Sequence, residues 1–312
     1  MKVLLIGGSG FIGRHLARSL AARNDDVLII GRNSPATPEA SSIRHIVGSY
    51  ADTPTLRAAL QGVDAVVHLA HDSLQLNQTC DMAAEYSRNI LPSINLMEEC
   101  LRANVAKLIF VSSGGTVYGN TQARVPLKEN ATTAPISLYG TSKLSIEQIA
   151  HLYHVQRGLP VVIVRPGNAY GPGQIPFKGQ GIIATALASA LIQRPIAVFG
   201  DGGAIRDYVH VRDISEAIVQ LLHSSISGEV FNIGTGTGTS IIDLLEKHLQ
   251  PLVEASGYSL ILERKPVRSM DVGYNVLDSE KLKTHIEYSP IPLRDGLPET
   301  WGWVKDQWSK VT

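Results

Sequence analysis

The chain has 312 residues, enough to bury one large core or two unequal lobes. Its 28 basic and 28 acidic residues cancel, which excludes the basic surface that is typical of nucleic-acid-binding proteins. The first apolar run, at residues 3–6, is too short for a membrane span, and the two cysteines and ten histidines lack metal-ligand spacing. We therefore expect a metal-free cytoplasmic protein with neither nucleic-acid nor membrane partners.

The first predicted strand, at residues 2–6, runs into a glycine-rich turn and then a helical pattern that continues to about residue 23. Gly7, Gly10 and Gly13 are each separated by two residues. This spacing allows a tight turn, close approach of a pyrophosphate to the backbone, and close packing of helix on strand. Because the turn lies between a strand and a helix, we predict a dinucleotide site rather than a flexible loop.

The end of the second predicted strand, at residues 27–30, bears on the type of dinucleotide. NAD-binding proteins usually carry an acidic residue there, which holds the adenosine ribose. Here the strand is followed by Gly31, Arg32 and Asn33. An arginine at this point can pair with a 2′-phosphate or stack on adenine, so NADP stays open beside NAD.

Strands and helices then alternate along the chain, which predicts an α/β fold built on a Rossmann-type doubly wound parallel sheet. Further strands are predicted at residues 43–47, 65–70, 107–111 and 161–164, and helices at 53–60, 81–103 and 137–157. A Pro/Gly cluster after residue 165 marks the passage into a smaller C-terminal α/β substrate lobe. We predict a dinucleotide-binding domain at 1–167 and a mainly substrate-binding lobe at 168–312, with a segment at about 206–235 returning to the large domain.

The smaller lobe mixes helices with short strands. Helices are predicted near residues 180–192, 213–223 and 240–249, and strands near 196–199, 206–210, 229–232 and 259–263. Asp213 begins the second of these helices, and an aspartate there is typical of the N-cap position.

Tyr139 and Lys143 lie four residues apart near the start of the helix predicted at 137–157, so their side chains project from one face. A phenol has an ordinary pKa of about 10, and a neighbouring ammonium group stabilises its anion, especially beside a positively charged nicotinamide. Alone, the pair is weak evidence, because helices contain such pairs by chance. Its meaning depends on a nucleotide site before it and a substrate site after it.

Six short motifs occur in order along nearly the whole chain. They are Gly7-x-x-Gly10-x-x-Gly13, Ser112-Ser113 before Thr116-Val117-Tyr118-Gly119, Tyr139-x-x-x-Lys143, Arg165 to Asn168, Arg206-Asp207-Tyr208-Val209-His210 and Arg268-x-x-Asp271. This ordered set resembles the extended short-chain dehydrogenase/reductase family. Within that family it is most similar to nucleotide-sugar 4-epimerases of the UDP-glucose/UDP-N-acetylglucosamine type.

The resemblance implies a tightly held dinucleotide in the N-terminal lobe and a UDP-sugar between the lobes. Tyr139 would take the proton of the sugar 4-hydroxyl while a hydride passes from C4 to the nicotinamide. The 4-keto sugar would then rotate and receive the hydride on its other face. Lys143 would hold the nicotinamide ribose and lower the pKa of Tyr139.

The resemblance also assigns further site residues by position. It implies cofactor contacts at the three turn glycines, Phe11, Ile12, Arg32, Asn33, Leu69, Ala70, His71, Asn89, Ser112, Tyr139, Lys143 and Pro166. It implies substrate contacts at Asn168, Gln180, Gly181, Phe199, Arg206, Arg268, Asp271 and Asn275. The two arginines would clamp the UDP phosphates, which fits the bidentate recognition of phosphate by guanidinium groups. The helices at about 81–103 and 137–157 would pair in a homodimer, although their apolar faces can equally pack on the sheet.

The chain departs from the family pattern in three ways. Gly114 stands where the family carries a catalytic serine or threonine, so Ser113 or Thr116 would share the hydrogen bond to the 4-hydroxyl. Gly31 and Arg32 replace the ribose-binding acid; because an epimerase regenerates its own cofactor, we still predict NAD, with NADP as the alternative. Asn275 stands where glucose-restricted members carry a tyrosine, which leaves room for an N-acetyl group at C2.

We therefore predict a UDP-hexose 4-epimerase acting on UDP-N-acetylglucosamine and UDP-N-acetylgalactosamine, and also on UDP-glucose and UDP-galactose. The alternative is an NADP(H)-dependent 4-keto nucleotide-sugar reductase, which Gly31-Arg32 and the absent serine favour. A dehydratase is disfavoured, because such members carry an Asp-Glu pair where this chain has Gly115-Thr116. A non-enzymatic dinucleotide sensor is disfavoured by the two phosphate-binding arginines.

Overall fold

The structure, a computed structural model, describes residues 1–32, 42–72, 81–121, 123–267 and 272–308. The strands are β1 (Lys2–Ile6), β2 (Asp26–Gly31), β3 (Ile43–Val47), β4 (Ala65–His68), β5 (Lys107–Val111), β6 (Val161–Pro166), β7 (Asn168–Tyr170), β8 (Ile196–Phe199), β9 (Ile205–His210), β10 (Glu229–Ile233), β11 (Gly238–Ser240), β12 (Leu262–Lys265) and β13 (Tyr274–Asn275). Within these residues a seven-stranded parallel sheet has the order β3-β2-β1-β4-β5-β6-β10.

Helices cover both faces of this sheet. They are α1 (Phe11–Ala22), α2 (Thr53–Ala59), α3 (Met82–Glu85), α4 (Leu91–Arg102), α5 (Gly114–Val117), α6 (Leu138–Arg157), α7 (Ile182–Leu191), α8 (Val211–His223), α9 (Ile241–Asp243), α10 (Gln250–Glu254), α11 (Glu280–Lys283) and α12 (Leu293–Trp308). π-Helical turns connect α3 to α4 at Tyr86–Ile90 and α9 to α10 at Leu244–Leu249. None of the described helices combines the length and the apolar character that crossing a membrane requires.

The alternation of side chains along the strands explains the two layers of helices. Val3 of β1 lies in one core with residues of α1 and α8, whereas its neighbour Leu4 lies in the other core with residues of α2, α4 and α6. The predicted Rossmann-type doubly wound sheet is confirmed. Because β2 and β4 flank β1, the chain connections diverge at the carboxyl ends of β1 and β4 and leave a crevice there.

Beyond β6 the chain builds two smaller sheets. Strand β9 pairs with β7, β11 and β13, and β8 pairs with β12. A third hydrophobic core lies under them and contains residues of α7 and α12. Strand β10 pairs with β6 at the edge of the large sheet. The domain boundary after residue 167 stays a prediction.

Local contacts explain where the structure differs from the predicted elements. Helix α8 begins two residues earlier than predicted, and His210 is its N-cap. Asp213 lies in the first turn instead and accepts a hydrogen bond from the Ile291 N–H at 2.9 Å, so its predicted N-cap role is wrong. Helix α12 was missed, and Pro298 lies inside it, which is a residue that usually ends a helical pattern.

Candidate active site

A cavity of about 1050 Å³ opens at the carboxyl edge of the large sheet. Its walls come from the glycine turn, the segments after β4 and β5, the start of α6, the residues from β7 to α7, and β9. Among the predicted site residues, the lining contains Gly7, Gly10, Phe11, Ile12, Gly13, Leu69, His71, Ser112, Ser113, Thr116, Tyr139, Lys143, Pro166, Asn168, Gln180, Gly181 and Arg206. The fold thus brings the predicted dinucleotide turn, the Tyr139–Lys143 pair and Arg206 to one space.

Several predicted site residues do not line this space. Those that lie elsewhere in the described chain are Arg32, Ala70, Asn89, Phe199 and Asn275. Asn33, Arg268 and Asp271 lie outside the described residues. Among the described residues, no three His, Cys, Asp or Glu side chains are grouped as metal ligands would be.

The glycine turn has no room for side chains. Gly7 has a φ of +87°, and a Cβ there would lie 2.7 Å from the Ala70 nitrogen. A Cβ on Gly13 would lie 2.6 Å from the Gly7 carbonyl oxygen. Helix α1 begins directly after Gly10, and neither a capping side chain nor an acidic residue occupies its first turn. Its free N–H groups therefore face the cavity edge as an anion cradle, which suits a pyrophosphate.

Tyr139 and Lys143 lie on the first turns of α6, as predicted. Ser137 caps this helix, with its hydroxyl accepting a hydrogen bond from the Gly140 N–H at 3.1 Å. The Lys143 ammonium lies 5.7 Å from the centre of the Tyr139 ring and donates a hydrogen bond to the Val111 carbonyl at 2.7 Å. The end of β5 therefore fixes the ammonium group beside the phenol.

Burial controls the protonation of this pair. It raises the pKa of Tyr139 to about 12, although a hydrogen bond with Ser113 lowers it. Burial also lowers the pKa of Lys143 from 10.5 to about 7, against the opposing charges of Glu147 and Glu85. Without a ligand, the site therefore holds a protonated phenol beside an amine that titrates near neutral pH.

Three residues with hydroxyl groups after β5 line the same cavity as Tyr139. Ser113 precedes α5, but its hydroxyl makes no capping bond to that helix and instead bonds to Tyr139. The hydroxyls of Ser112 and Thr116 are buried and have no hydrogen-bond partner. Since buried polar groups are normally paired, these two hydroxyls indicate that a polar ligand belongs in the cavity.

The glycine that replaces the family's serine is packed against a leucine. A Cβ on Gly114 would lie 2.5 Å from Leu277 Cδ1 and 2.9 Å from the Arg165 carbonyl oxygen. Asn275 lies beneath the same glycine, and its side-chain amide donates to the Gly114 carbonyl at 2.8 Å. Leu277 therefore occupies the space of a residue-114 side chain, and Ser113 is the hydroxyl that reaches Tyr139.

Polar residues of β7 and β9 also line the cavity. Arg206 is half-buried there and donates one hydrogen bond to the Ile205 carbonyl at 2.9 Å. Tyr208 lies two residues further on, and its buried hydroxyl has no hydrogen-bond partner. Sequence reasoning missed Tyr208 as a site residue, although it belongs to the same motif as Arg206.

Arg32 lies at the surface after β2. Its side chain is 74% exposed, and its guanidinium lies 3.5 Å from the Asp72 carboxylate. Asp72 follows β4, and sequence reasoning missed it as an acidic residue near the predicted adenosine end of the site. Exposed ion pairs contribute little stability, but this one places a negative charge beside Arg32.

Known proteins match this chain over almost its full length. The profile of the family described as NAD dependent epimerase/dehydratase matches residues 3–234. A UDP-glucose 4-epimerase from Thermotoga maritima, solved with UDP-glucose, is 31% identical, with a TM-score of 0.90 and coverage of 98% of this chain and 99% of that one. A UDP-glucuronic acid 4-epimerase from Bacillus cereus, solved with UDP-glucuronic acid and NAD, is 29% identical, with a TM-score of 0.87 and coverage of 98% and 100%. A dTDP-glucose 4,6-dehydratase from an Actinoplanes species is 30% identical over 322 residues, which cover 98% of each chain.

Proposed function

The chain belongs to the NAD-dependent epimerase/dehydratase family, and we propose that it is a UDP-hexose 4-epimerase that uses bound NAD catalytically. The family membership confirms the resemblance drawn from the six sequence motifs. One observation carries the proposal: Tyr139, Lys143 and Ser113 line the same cavity as the glycine turn and Arg206. The proposed acid/base pair, the dinucleotide cradle and an arginine suited to phosphate thus line one cavity.

The residues present fit a dinucleotide. The glycine turn offers backbone N–H groups that no side chain covers. The buried Ser112 hydroxyl has no hydrogen-bond partner and can bond to a polar group of the ligand. The Arg32–Asp72 pair supports NAD over NADP, because the Asp72 carboxylate offsets the positive charge that Arg32 would offer to a 2′-phosphate. Bound NAD would supply a hydride acceptor, and then a hydride donor, for C4 of the sugar.

The chain's own residues move and hold the proton. Tyr139 accepts the proton of the 4-hydroxyl and returns it after the keto sugar has presented its other face. Lys143 stabilises the phenolate by its charge. Burial raises the pKa of Tyr139 to about 12, and a positively charged nicotinamide ring near the phenol would lower it. Ser113 donates a hydrogen bond to the Tyr139 oxygen and takes the role of the family serine, whose position Gly114 occupies.

The sugar class rests on two features of the described chain. Arg206 supports a diphosphate, because it lines the same cavity as the glycine turn and guanidinium groups recognise phosphate. Asn275 is small and withdrawn beneath Gly114, which supports room for an N-acetyl group at C2. We propose UDP-N-acetylglucosamine and UDP-N-acetylgalactosamine as substrates, with UDP-glucose and UDP-galactose as further ones.

A homodimer is proposed through α4 and α6. These helices leave apolar side chains in solvent, with exposed fractions of 58% for Leu91, 49% for Leu152 and 65% for Val155. Leu152 and Val155 are three residues apart on α6 and so lie on one face. A second copy covering these side chains would remove them from water.

The decisive experiment incubates the purified protein with each UDP-hexose without added reductant and separates the products by anion-exchange chromatography. We expect UDP-N-acetylglucosamine and UDP-N-acetylgalactosamine to interconvert, and Tyr139→Phe to abolish the reaction while the released dinucleotide is unchanged. If no UDP-hexose interconverts, the proposal fails. The alternative reductase, which Arg32 favours by its charge, would instead consume NADPH stoichiometrically with a 4-keto nucleotide sugar.

A further inference from the structure

A buried histidine and a buried glutamate lie beside Tyr139, and the proposed reaction uses neither. His71 follows β4 at the cavity wall, and Glu85 ends α3. The two side chains are only 6% and 3% exposed, and His71 Nε2 lies 2.9 Å from Glu85 Oε1. These two atoms are close, but neither ring nitrogen of His71 makes a hydrogen bond, so the pair is a close polar contact.

The histidine ring is in direct contact with the phenol. The centres of the His71 and Tyr139 rings are 4.7 Å apart, and the rings are inclined at 79°, which is the edge-to-face arrangement that aromatic rings prefer. The Lys143 ammonium lies 5.7 Å from the centre of the same phenol ring. The phenol is therefore bounded by an imidazole ring as well as by its ammonium partner.

Asn89 connects Glu85 to the chain segment that carries His71. Its amide nitrogen donates to Glu85 Oε1 at 3.0 Å, and its amide oxygen accepts from the N–H of Asp72, the residue after His71, at 2.7 Å. Asn89 lies in the π-helical turn that directly follows Glu85, and such turns are frequent at functional sites. One amide thus ties the segment that carries the imidazole to the carboxylate that faces it.

We propose that His71 and Glu85 are positioning residues for Tyr139: the carboxylate fixes the imidazole ring, and the imidazole ring fixes the phenol. The proposal rests on the proposed function for the role of Tyr139 as the acid/base. Asn89, predicted as a cofactor contact, does not line the cavity; it bonds instead to Glu85 and to the backbone N–H of Asp72.

The electrostatics agree with this arrangement. Burial, Lys143 and His68 lower the pKa of His71 to about 2, so the imidazole ring is neutral. The ionisable groups that face Tyr139 are Lys143 from α6, Glu85 from α3 and the neutral His71 after β4. After burial, which is the largest cause, the charge of Glu85 raises the pKa of Tyr139. Glu85 therefore favours the protonated phenol.

The test measures tyrosinate formation by ultraviolet difference absorbance on the purified protein as isolated. Subtracting the titration of a matching Tyr139→Phe protein isolates the Tyr139 signal from the other tyrosines. We expect Glu85→Gln to lower the pKa of Tyr139 by about one pH unit or more, since a nearby charge shifts a buried group by about one to three units. Glu99→Gln is the matched control, because its carboxylate is 1% exposed but pairs with Arg57, away from the cavity lining.

A Glu85→Gln titration that overlaps the wild-type curve overturns the proposal. A kinetic test examines the ring itself: His71→Ala should lower kcat by about tenfold or more with KM nearly unchanged, because small misplacements of a reacting group are costly. His71→Phe keeps an edge-to-face ring and should recover most of kcat. Equal losses in both variants, with folding verified by circular dichroism, also overturn it. The titration needs no turnover, so a lack of epimerase activity would refute the proposed function alone.

Discussion

The contact between Gly114 and Leu277 allows a quantitative test of why this chain lacks the family's serine. Leu277 is fully buried, and its Cδ1 and Cδ2 atoms would lie 2.5 and 3.1 Å from a Cβ on Gly114. Its N–H donates to the buried Asp207 carboxylate at 3.1 Å, which fixes the backbone of this segment. The leucine cannot withdraw easily, so Gly114→Ser overpacks the site and should cost about 2 kcal/mol.

The two substitutions should compensate each other. Leu277→Ala alone removes a buried side chain and should cost about 3 kcal/mol. In the double variant the serine side chain fills part of the space that the leucine leaves. The loss of unfolding free energy should therefore be smaller than the sum of the two single losses by about 1 to 2 kcal/mol. The remaining approach to the Arg165 carbonyl oxygen, 2.9 Å from the new Cβ, prevents full compensation.

Thermal unfolding followed by circular dichroism measures this coupling. At about 2 °C per kcal/mol, Gly114→Ser should lower Tm by roughly 4 °C and Leu277→Ala by roughly 6 °C. The double variant should melt about 2 to 4 °C above the additive value. Leu56→Ala removes a buried leucine from a different hydrophobic cluster than that of Leu277, and this control should add to Gly114→Ser without coupling. Strict additivity with Leu277→Ala would refute the packing explanation.

Three further predictions concern the site and the surface. Ser113→Ala should lower kcat about 10- to 100-fold, because its hydroxyl bonds to Tyr139, whereas Thr116→Val should cost less than about tenfold; equal losses in steady-state kinetics would contradict this order. The pKa of Lys143 falls from 10.5 in the unfolded chain to about 7, so the folded state binds fewer protons and gains stability as pH rises from about 7 towards 10. The Tm of Lys143→Met should therefore fall further below that of the wild type as pH rises through this range. A Tm difference that does not change with pH would contradict the lowered pKa of Lys143. Leu152→Glu with Val155→Glu should shift the sedimentation coefficient from dimer to monomer, and an unchanged value would exclude this face as the dimer contact.

The sequence was sufficient for features that depend on neighbouring residues. Buried runs predicted the strands of the large sheet, the glycine spacing predicted the turn after β1, and the four-residue separation placed Tyr139 beside Lys143. These features arise from local periodicity and backbone geometry, which a single sequence displays directly.

Features that depend on distant packing could not be predicted in this way. Asn275 reaches Gly114 across 161 positions of sequence, and only the pairing of β13 with β9 brings them together. The short strands β7 and β13 have no strong pattern of their own and depend on the same neighbour. His71 was assigned to the cofactor by position, but its contact with Glu85, 14 residues further along the chain, depends on the folded structure.

The central claim is that Tyr139 serves reversible hydride transfer at C4, with the same hydrogen returned to the sugar. The most direct measurement runs the interconversion of a UDP-hexose in D2O and locates deuterium in the product by mass spectrometry and NMR. We predict full interconversion with no deuterium on carbon, because the hydrogen of C4 leaves and returns as a hydride and never exchanges with solvent. Deuterium bound to the epimerised carbon would show proton exchange instead and would contradict the mechanism.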